Sequence, residues 1–376
     1  MFNITFINGP KVEIIDPNLD NEYTVKFIDT KDNYLHYKAT VKSGHWVAAD
    51  YEYFIEWKIE IYNKNNILVH EHEYNAFNQR VFISFGSSAI GDTLAWFPYI
   101  EEFRKKHKCS VVVSTFHNNF FKTKYPELEF TNRGEIVNNI YAQYNIGWFY
   151  NQDNKINYKK NPINFRLNPL GKTCSSILGL KYKEIKPLLT FTKLKTTIKE
   201  KYVCIAPHGS AHAKYWNHPN GWQIIIDYLN SKDYKVVMIT KEPLKDRWHD
   251  SKLGGTLTGV IDKTGNYPLS ERANDIMNAK AFIGVGSGLS WLSWALNTKT
   301  ILISGFSEDY SEMESCKRIS PSSLDICKGC YNYQKLDPND WEWCPEHKNT
   351  HRQFECTKSI LPTTVIKAIN QQLGIS

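Results

Sequence analysis

The sequence predicts an α/β protein: two Rossmann-like domains facing a cleft, with an all-β domain before them and a cysteine-rich insert behind. Three observations carry this. Short alternating runs fill residues 1–79. From Arg80, and again from Tyr202, the pattern becomes apolar strand, loop, helix. Five of the eight cysteines crowd residues 316–356. The expected boundaries are 1–79 for a β-sandwich or barrel and 80–195 and 196–315 for the two Rossmann-like domains. Residues 316–358 form a four-cysteine finger and 359–376 a closing helix.

In the first segment the runs are Asn3–Ile7, Val12–Ile15, Tyr23–Ile28, His36–Val41, Tyr53–Ile61 and Ile67–Glu73. Turn formers such as Asn8-Gly9-Pro10 and Asp16-Pro17-Asn18 separate them. No catalytic constellation falls here, so the segment reads as a packing or assembly module. Beyond it, Val81–Phe85 has strand length and Gly86–Asp92 is a loop. Thr93–Lys106 then spaces Leu94, Phe97, Ile100 and Phe103 as a helix does, and Cys109–Ser114 is a second strand. The loop is not G-x-G-x-x-G, so the dinucleotide fingerprint is absent. Asp92 stands past the C-terminal end of a strand and at the start of a helix. A helix dipole favours an acidic residue there. Open α/β folds also place their chemistry there.

Residues 116–195 are poorly periodic, and Ile185–Glu200 reads as a linker. The second half opens with the strand Tyr202–Ala206 and the loop Pro207–Trp216. In that loop Lys214 is a point charge able to neutralise a diphosphate. His208, His212 and His218 have no supporting carboxylate nearby and are not read as a metal site. Farther on, Ala281–Gly305 reads as strand, tight loop, helix, strand, with Leu289, Leu292 and Leu296 at helical spacing. A helix that starts in such a loop offers free N–H groups and a positive dipole to a phosphate. Gly286 and Gly288 let the backbone approach a ligand, and Ser287 and Ser290 add hydroxyls.

Cys327, Cys330, Cys344 and Cys356 form C-x2-C-x13-C-x11-C, four thiolates sufficient for a closed tetrahedral metal site of structural type. From the chemistry alone zinc is the default and rubredoxin-like iron the alternative. Cys316 falls outside the spacing. Asp337, Asp340, Glu342 and Glu346 balance the lysines of this segment, which disfavours nucleic acid as its partner. The net charge of +7 is spread along the chain and mildly favours an anionic partner such as a nucleotide. No apolar run is long enough to span a membrane, and no signal-type segment opens the sequence, so a cytoplasmic location is expected.

Three motifs now stand in one order: Ala89-Ile90-Gly91-Asp92-Thr93-Leu94, then His208-Gly209 with Lys214-Tyr215-Trp216, then Ser287-Gly288-Leu289-Ser290. Together they resemble the heptosyltransferases of the GT-B fold that build the inner core of lipopolysaccharide. The N-terminal β-domain and the four-cysteine insert look instead like the bacterial autotransporter heptosyltransferases of glycosyltransferase family 9. That resemblance implies an inverting protein O-glycosyltransferase. It would move heptose from ADP-heptose to Ser or Thr hydroxyls of an autotransporter adhesin. Asp92 would be the general base and Lys214 the contact to the donor diphosphate. Ser210, Thr93 and Gly286 to Ser290, with Leu289 among them, would form the donor-binding set. It further implies iron at the four cysteines, no catalytic metal, and homo-oligomers as large as rings. Gly286 and Trp291 stand where the core-building enzymes usually have aspartate and histidine. Competing readings are another donor such as UDP-hexose, a lipopolysaccharide-core acceptor, or a non-catalytic nucleotide- or nucleic-acid-binding scaffold.

Overall fold

The computed structural model describes residues 1–375 and divides into two compact units. The first takes Met1–Ser88, Trp96–Phe165 and Leu170–Lys183. The second takes Ala89–Ala95, Arg166–Pro169 and the chain from Glu184 onward. Asp92 is therefore grouped with the second unit, together with Ala89–Ala95, although the chain on either side of that stretch belongs to the first.

The first unit begins with seven strands: β1 (Phe2–Thr5), β2 (Lys11–Ile14), β3 (Glu22–Asp29), β4 (Tyr34–Lys42), β5 (Trp46–Ala48), β6 (Trp57–Asn63) and β7 (Leu68–Glu73). They form two antiparallel sheets, ordered β1-β2-β5 and β4-β3-β6-β7. Alternation decides which face is inside. Val25 and Phe27 of β3 pair with Ile61 and Ile59 of β6, and all four are buried. Next come β8 (Arg80–Phe85), β9 (Ser110–Ser114), β10 (Leu128–Phe130) and β11 (Ala142–Ile146), a parallel sheet ordered β10-β9-β8-β11. The helix expected over Thr93–Lys106 is two helices, Ile90–Trp96 and Pro98–His107. Pro98 has no N–H to continue the ladder and opens the second helix instead. Phe97, at the break, stacks on Phe121 with ring centroids 3.6 Å apart.

The second unit is built on six strands: β12 (Tyr202–Ala206), β13 (Lys235–Met238), β14 (Val260–Asp262), β15 (Ala281–Val285), β16 (Thr300–Ile303) and β17 (Lys317–Ile319). All pair in parallel, in the order β14-β13-β12-β15-β16-β17. Every residue of β12 and β15 is buried, as expected of central strands covered on both faces. The strand β17 was not anticipated. Its Lys-Arg-Ile wording carries one apolar residue, too little for any periodicity, and residues 316–358 were assigned to the finger. The closing helix, Pro362–Leu373, lays Val365, Ala368 and Ile369 into the core shared with Val203, Ile205 and Trp222. The chain just before it is pinned by Trp216, whose Nε1 donates to the Ile360 carbonyl at 2.9 Å.

The cysteine segment is seated on the loop after β16. The Gly329 N–H donates to the Gly305 carbonyl at 2.9 Å, and the Tyr331 N–H to the Phe306 carbonyl at 3.1 Å. A Cβ on Gly305 would stand 2.6 Å from the Cys356 carbonyl oxygen, closer than real contacts allow. Gly305→Ala is therefore expected to destabilise the protein by about 1–3 kcal/mol through this overlap. A fall in melting temperature checks it, and an unchanged melting temperature contradicts the seating described.

Candidate active site

In the second unit the strand order reverses between β12 and β15, with β13 and β14 on one side and β16 and β17 on the other. In an open parallel sheet the ligand crevice lies outside the carboxyl ends of the strands at that switch point. The loops that leave β12 and β15 there are the two singled out in the sequence.

The loop after β12 makes a single 3-10 turn, His212–Lys214. Lys214 Nζ donates to Ser210 Oγ at 3.0 Å and lies over the Phe306 ring, 5.3 Å from its centroid. The side chain is half-buried. Desolvation lowers its pKa, and the Glu312 and Asp92 carboxylates oppose that loss of charge. His208 is held by Thr240, its Nδ1 3.1 Å from Thr240 Oγ1, and it does have a carboxylate nearby, Glu242 Oε2 at 3.6 Å. Burial and the neighbouring His249 push its pKa down to about 3, which leaves the imidazole neutral. His212 packs on the Phe354 ring with centroids 4.4 Å apart, and His218 faces the Pro219 carbonyl.

The loop after β15 delivers the helix Gly288–Ala295. Ser287 precedes it with extended backbone and makes no side-chain cap. Its Oγ is buried with no hydrogen-bond partner among the described residues. Two expected donor-site hydroxyls are committed elsewhere. Ser290 is buried and donates to the Val285 carbonyl at 2.6 Å. Thr93 is buried and donates to the Ala89 carbonyl at 3.1 Å. A hydroxyl inside a helix bonds the carbonyl four residues back, as Thr93 does, while Ser290 reaches the last carbonyl of β15. The helix-start N–H groups do not depend on either side chain.

The start of the helix Ile90–Trp96 lies against this loop. A Cβ on Gly288 would stand 3.0 Å from Ile90 Cβ, and one on Gly91 2.7 Å from Trp291 Cδ1. Both positions lack a side chain where the backbones need to approach. Trp291 is an 8% exposed packing surface for Gly91. Asp92 follows directly, half-buried, with its charge acting on Lys214. Asp92, Lys214, Ser210 and Gly286 to Leu289 thus belong to one neighbourhood. Beside it is a cavity of about 400 Å³ lined by Ile90, His208, Ser210, Ser287, Gly288 and Leu289. Its far wall, Thr240, Glu242, Tyr267 and Arg272, was missed from the sequence. The signal was available for Thr240 and Glu242. They follow the strand β13 at its carboxyl end, and the carboxyl ends of neighbouring parallel strands share one edge. Arg272 gave no such signal. It is buried, donates to the Gly265 carbonyl at 2.8 Å and lies over the Tyr267 ring at 4.7 Å.

None of the four cysteines of the finger is in a disulfide, and Cys327 Sγ lies 3.8 Å from Cys330 Sγ. Burial raises the Cys330 thiol pKa, with Cys327, Cys356 and Cys344 adding to it. Burial pushes Cys356 to about 12, with Cys344 and Cys327 adding. Of the four sulfurs, Cys327 and Cys330 stand as a close pair. A 3.8 Å pair matches the edge of a tetrahedron with metal–sulfur bonds of about 2.3 Å. The residues present fit a thiolate-bound metal. One nearby cluster was not anticipated: Cys327, His347 and Glu355 bring ligand-type atoms within 4.8 Å of one another. Glu355 is already engaged. It accepts from the Cys327 N–H at 3.0 Å and from Arg352 Nη2 at 2.6 Å, so it orients the cysteine loop. The finger also reaches the lysine loop, because Trp343, Cys344 and Phe354 share a small apolar core with Ala213 and Phe306.

Comparison with known proteins places this geometry. Residues 168–326 match the model of "Glycosyltransferase family 9 (heptosyltransferase)". The autotransporter heptosyltransferase Aah of Escherichia coli is 34% identical over 94% of this chain and 89% of its own length. The crystal structure of TibC from enterotoxigenic E. coli H10407 superposes with a TM-score of 0.87 at 31% identity, covering 99% of this chain and 95% of that one. TibC is described as a bacterial iron-containing dodecameric glycosyltransferase, and a second TibC structure holds ADP-D-beta-D-heptose. A more distant relative, BimC of Burkholderia thailandensis, is described as an inactive autotransporter heptosyltransferase; it is 27% identical over 95% of this chain and 83% of its own length. The parallel sheets are those of a GT-B-like α/β fold. The chain is a glycosyltransferase of family 9 and belongs to the autotransporter heptosyltransferases.

Proposed function

We propose that this protein transfers heptose from ADP-heptose to a Ser or Thr hydroxyl of an autotransporter adhesin, with inversion and with Asp92 as general base. One observation carries the reading: a carboxylate, a lysine and a helix N-terminus meet at the switch point of a Rossmann-type sheet. An inactive relative shares the fold, so the activity is argued from these groups rather than from fold. The acceptor oxygen attacks the anomeric carbon and its proton passes to Asp92. The bond from that carbon to the diphosphate oxygen breaks on the opposite face, and ADP leaves. Lys214 and the N–H groups at Gly288, Leu289 and Ser290 neutralise the charge that develops on the diphosphate. The cavity walled by Thr240 and Glu242 takes the nucleoside, with Glu242 able to accept from ribose hydroxyls.

Four thiolates from Cys327, Cys330, Cys344 and Cys356 hold a structural metal. Iron is favoured by the likeness to TibC, with zinc the alternative. That metal would cross-link the finger and so brace Phe306 and Ala213 beside Lys214. The eight cysteines are free and the donor is a nucleotide sugar, which supports a cytoplasmic location. No helix among the described residues is long and apolar enough to cross a membrane. Assembly into a large homo-oligomer is part of the proposal, by likeness to dodecameric TibC.

The direct test is intact mass of an adhesin passenger after incubation with ADP-heptose. A heptose-sized increment is expected, and an unmodified passenger opposes the proposal. Asp92→Asn should retain donor binding and lose about 10²–10⁴ in turnover, and wild-type turnover would remove Asp92 from the mechanism. In calorimetry Lys214→Ala should weaken ADP binding at least about tenfold. Because burial lowers the Lys214 pKa, the wild-type affinity should fall as pH rises, and at a lower pH than for an exposed lysine. Unchanged affinity in the variant would exclude the lysine. Finally, elemental analysis should find about one metal ion per chain, reduced in Cys330→Ala, which should also melt at lower temperature and bind ADP more weakly. Metal-free wild-type protein with normal ADP affinity would refute the bracing role.

A further inference from the structure

Tyr267 lines the donor cavity and has no role in the scheme above. It lies on the loop that leaves β14, at the carboxyl edge of the sheet. Backbone bonds fix that loop. The Lys263 N–H donates to the Met238 carbonyl at 3.0 Å, the Gly265 N–H to the Thr240 carbonyl at 2.9 Å and the Tyr267 N–H to the Gly265 carbonyl at 3.0 Å. Arg272 holds the ring from one side, its guanidinium 4.7 Å from the ring centroid. That guanidinium is fixed in turn. It donates to the Lys263 and Gly265 carbonyls and stands 4.0 Å from Asp275 Oδ2. Arg272 is 4% exposed, whereas Tyr267 stays 52% exposed. One face of the ring is thus covered by an immobile cation, while the tyrosine remains open at the cavity.

A single exposed tyrosine needs no explanation by itself. This one is set apart by its place along the sheet edge. The strand order β15-β12-β13-β14 runs in one direction from the switch point. The loops of β15 and β12 carry the helix N-terminus and Lys214, Glu242 follows β13, and Tyr267 follows β14. A nucleoside diphosphate has its parts in the same order: phosphates, ribose, base. Neighbouring strands stand about 4.8 Å apart, so Tyr267 lies one strand beyond the position assigned to the ribose. A flat heterocycle stacks on an aromatic ring whatever its hydrogen-bonding edge, and the gain grows with the area in contact. A purine offers two fused rings to such a surface and a pyrimidine one.

We propose that Tyr267 is the base platform of the donor site. Its open face stacks on the nucleobase and favours a purine, while Arg272 fixes the ring from behind. This rests on the reading of the cavity as the nucleoside pocket. Calorimetric titration of the full-length protein with ADP and with UDP tests it, on the wild type, Tyr267→Ala, Tyr267→Phe and Lys214→Ala. The wild type should bind ADP about threefold more tightly than UDP. Tyr267→Ala should lose about tenfold in ADP affinity and about threefold in UDP affinity, so that the preference disappears. That ratio, unlike either affinity alone, is not moved by a general loss of folded protein. Tyr267→Phe keeps the ring and drops the hydroxyl, and should bind as the wild type does. Lys214→Ala removes a contact to the diphosphate common to both ligands, and should weaken both alike with the preference kept. No preference in the wild type, or the same preference in Tyr267→Ala, overturns the inference and leaves the proposed function standing. So does an equal loss in Tyr267→Phe and Tyr267→Ala, which would assign the contact to the hydroxyl. Binding of neither nucleotide by the wild type overturns both.

Discussion

The close approach of two backbones at Gly91 and Gly288 is the constraint on which the site depends. Where Gly288 would carry a Cβ stands Ile90, and where Gly91 would carry one stands the edge of the Trp291 ring. Neither approach survives a side chain at the glycine without displacement of its neighbour. Through that contact Asp92, which follows a strand of one parallel sheet, is grouped with the unit that carries Lys214 and the Ser287 loop. The general base in the proposal is therefore not placed by its own sheet alone. It is placed by a small-residue contact with the helix whose N-terminus would hold the phosphate.

Around this contact the charges divide in a way that suits group transfer. Burial lowers the Lys214 pKa, and two carboxylates oppose that shift. Phe306 lies under the ammonium and belongs to the apolar core of the cysteine segment. The finger, remote from any chemistry in the sequence, is thus joined by packing to the residue that meets the leaving group. A metal at its four sulfurs would then act on affinity through rigidity, with no part in bond making.

Much of this was legible before any coordinates. Long apolar strands such as Tyr202–Ala206 and Ala281–Val285 announce themselves because both faces are buried, and their loops follow from the topology of parallel sheets. Other features were hidden, each for a physical reason. The short strand Lys317–Ile319 has too few apolar residues to show a period. The break at Phe97 was readable from Pro98, but the run of Leu94, Ile100 and Phe103 at helical spacing hid it. The hydroxyls of Thr93 and Ser290 match a ligand-binding motif in wording, yet each is already donated to a nearby backbone carbonyl. Spacing shows which residues can reach a ligand. It does not show which have already been satisfied by backbone.

A crystal structure of the protein with bound ADP tests the central claim most directly. The account predicts the terminal phosphate at the N-terminus of the helix Gly288–Ala295, within hydrogen-bond reach of Lys214 Nζ, with Asp92 on the open side of that phosphate. An ADP diphosphate bound away from this helix, with Lys214 and Asp92 both turned from it, would contradict it.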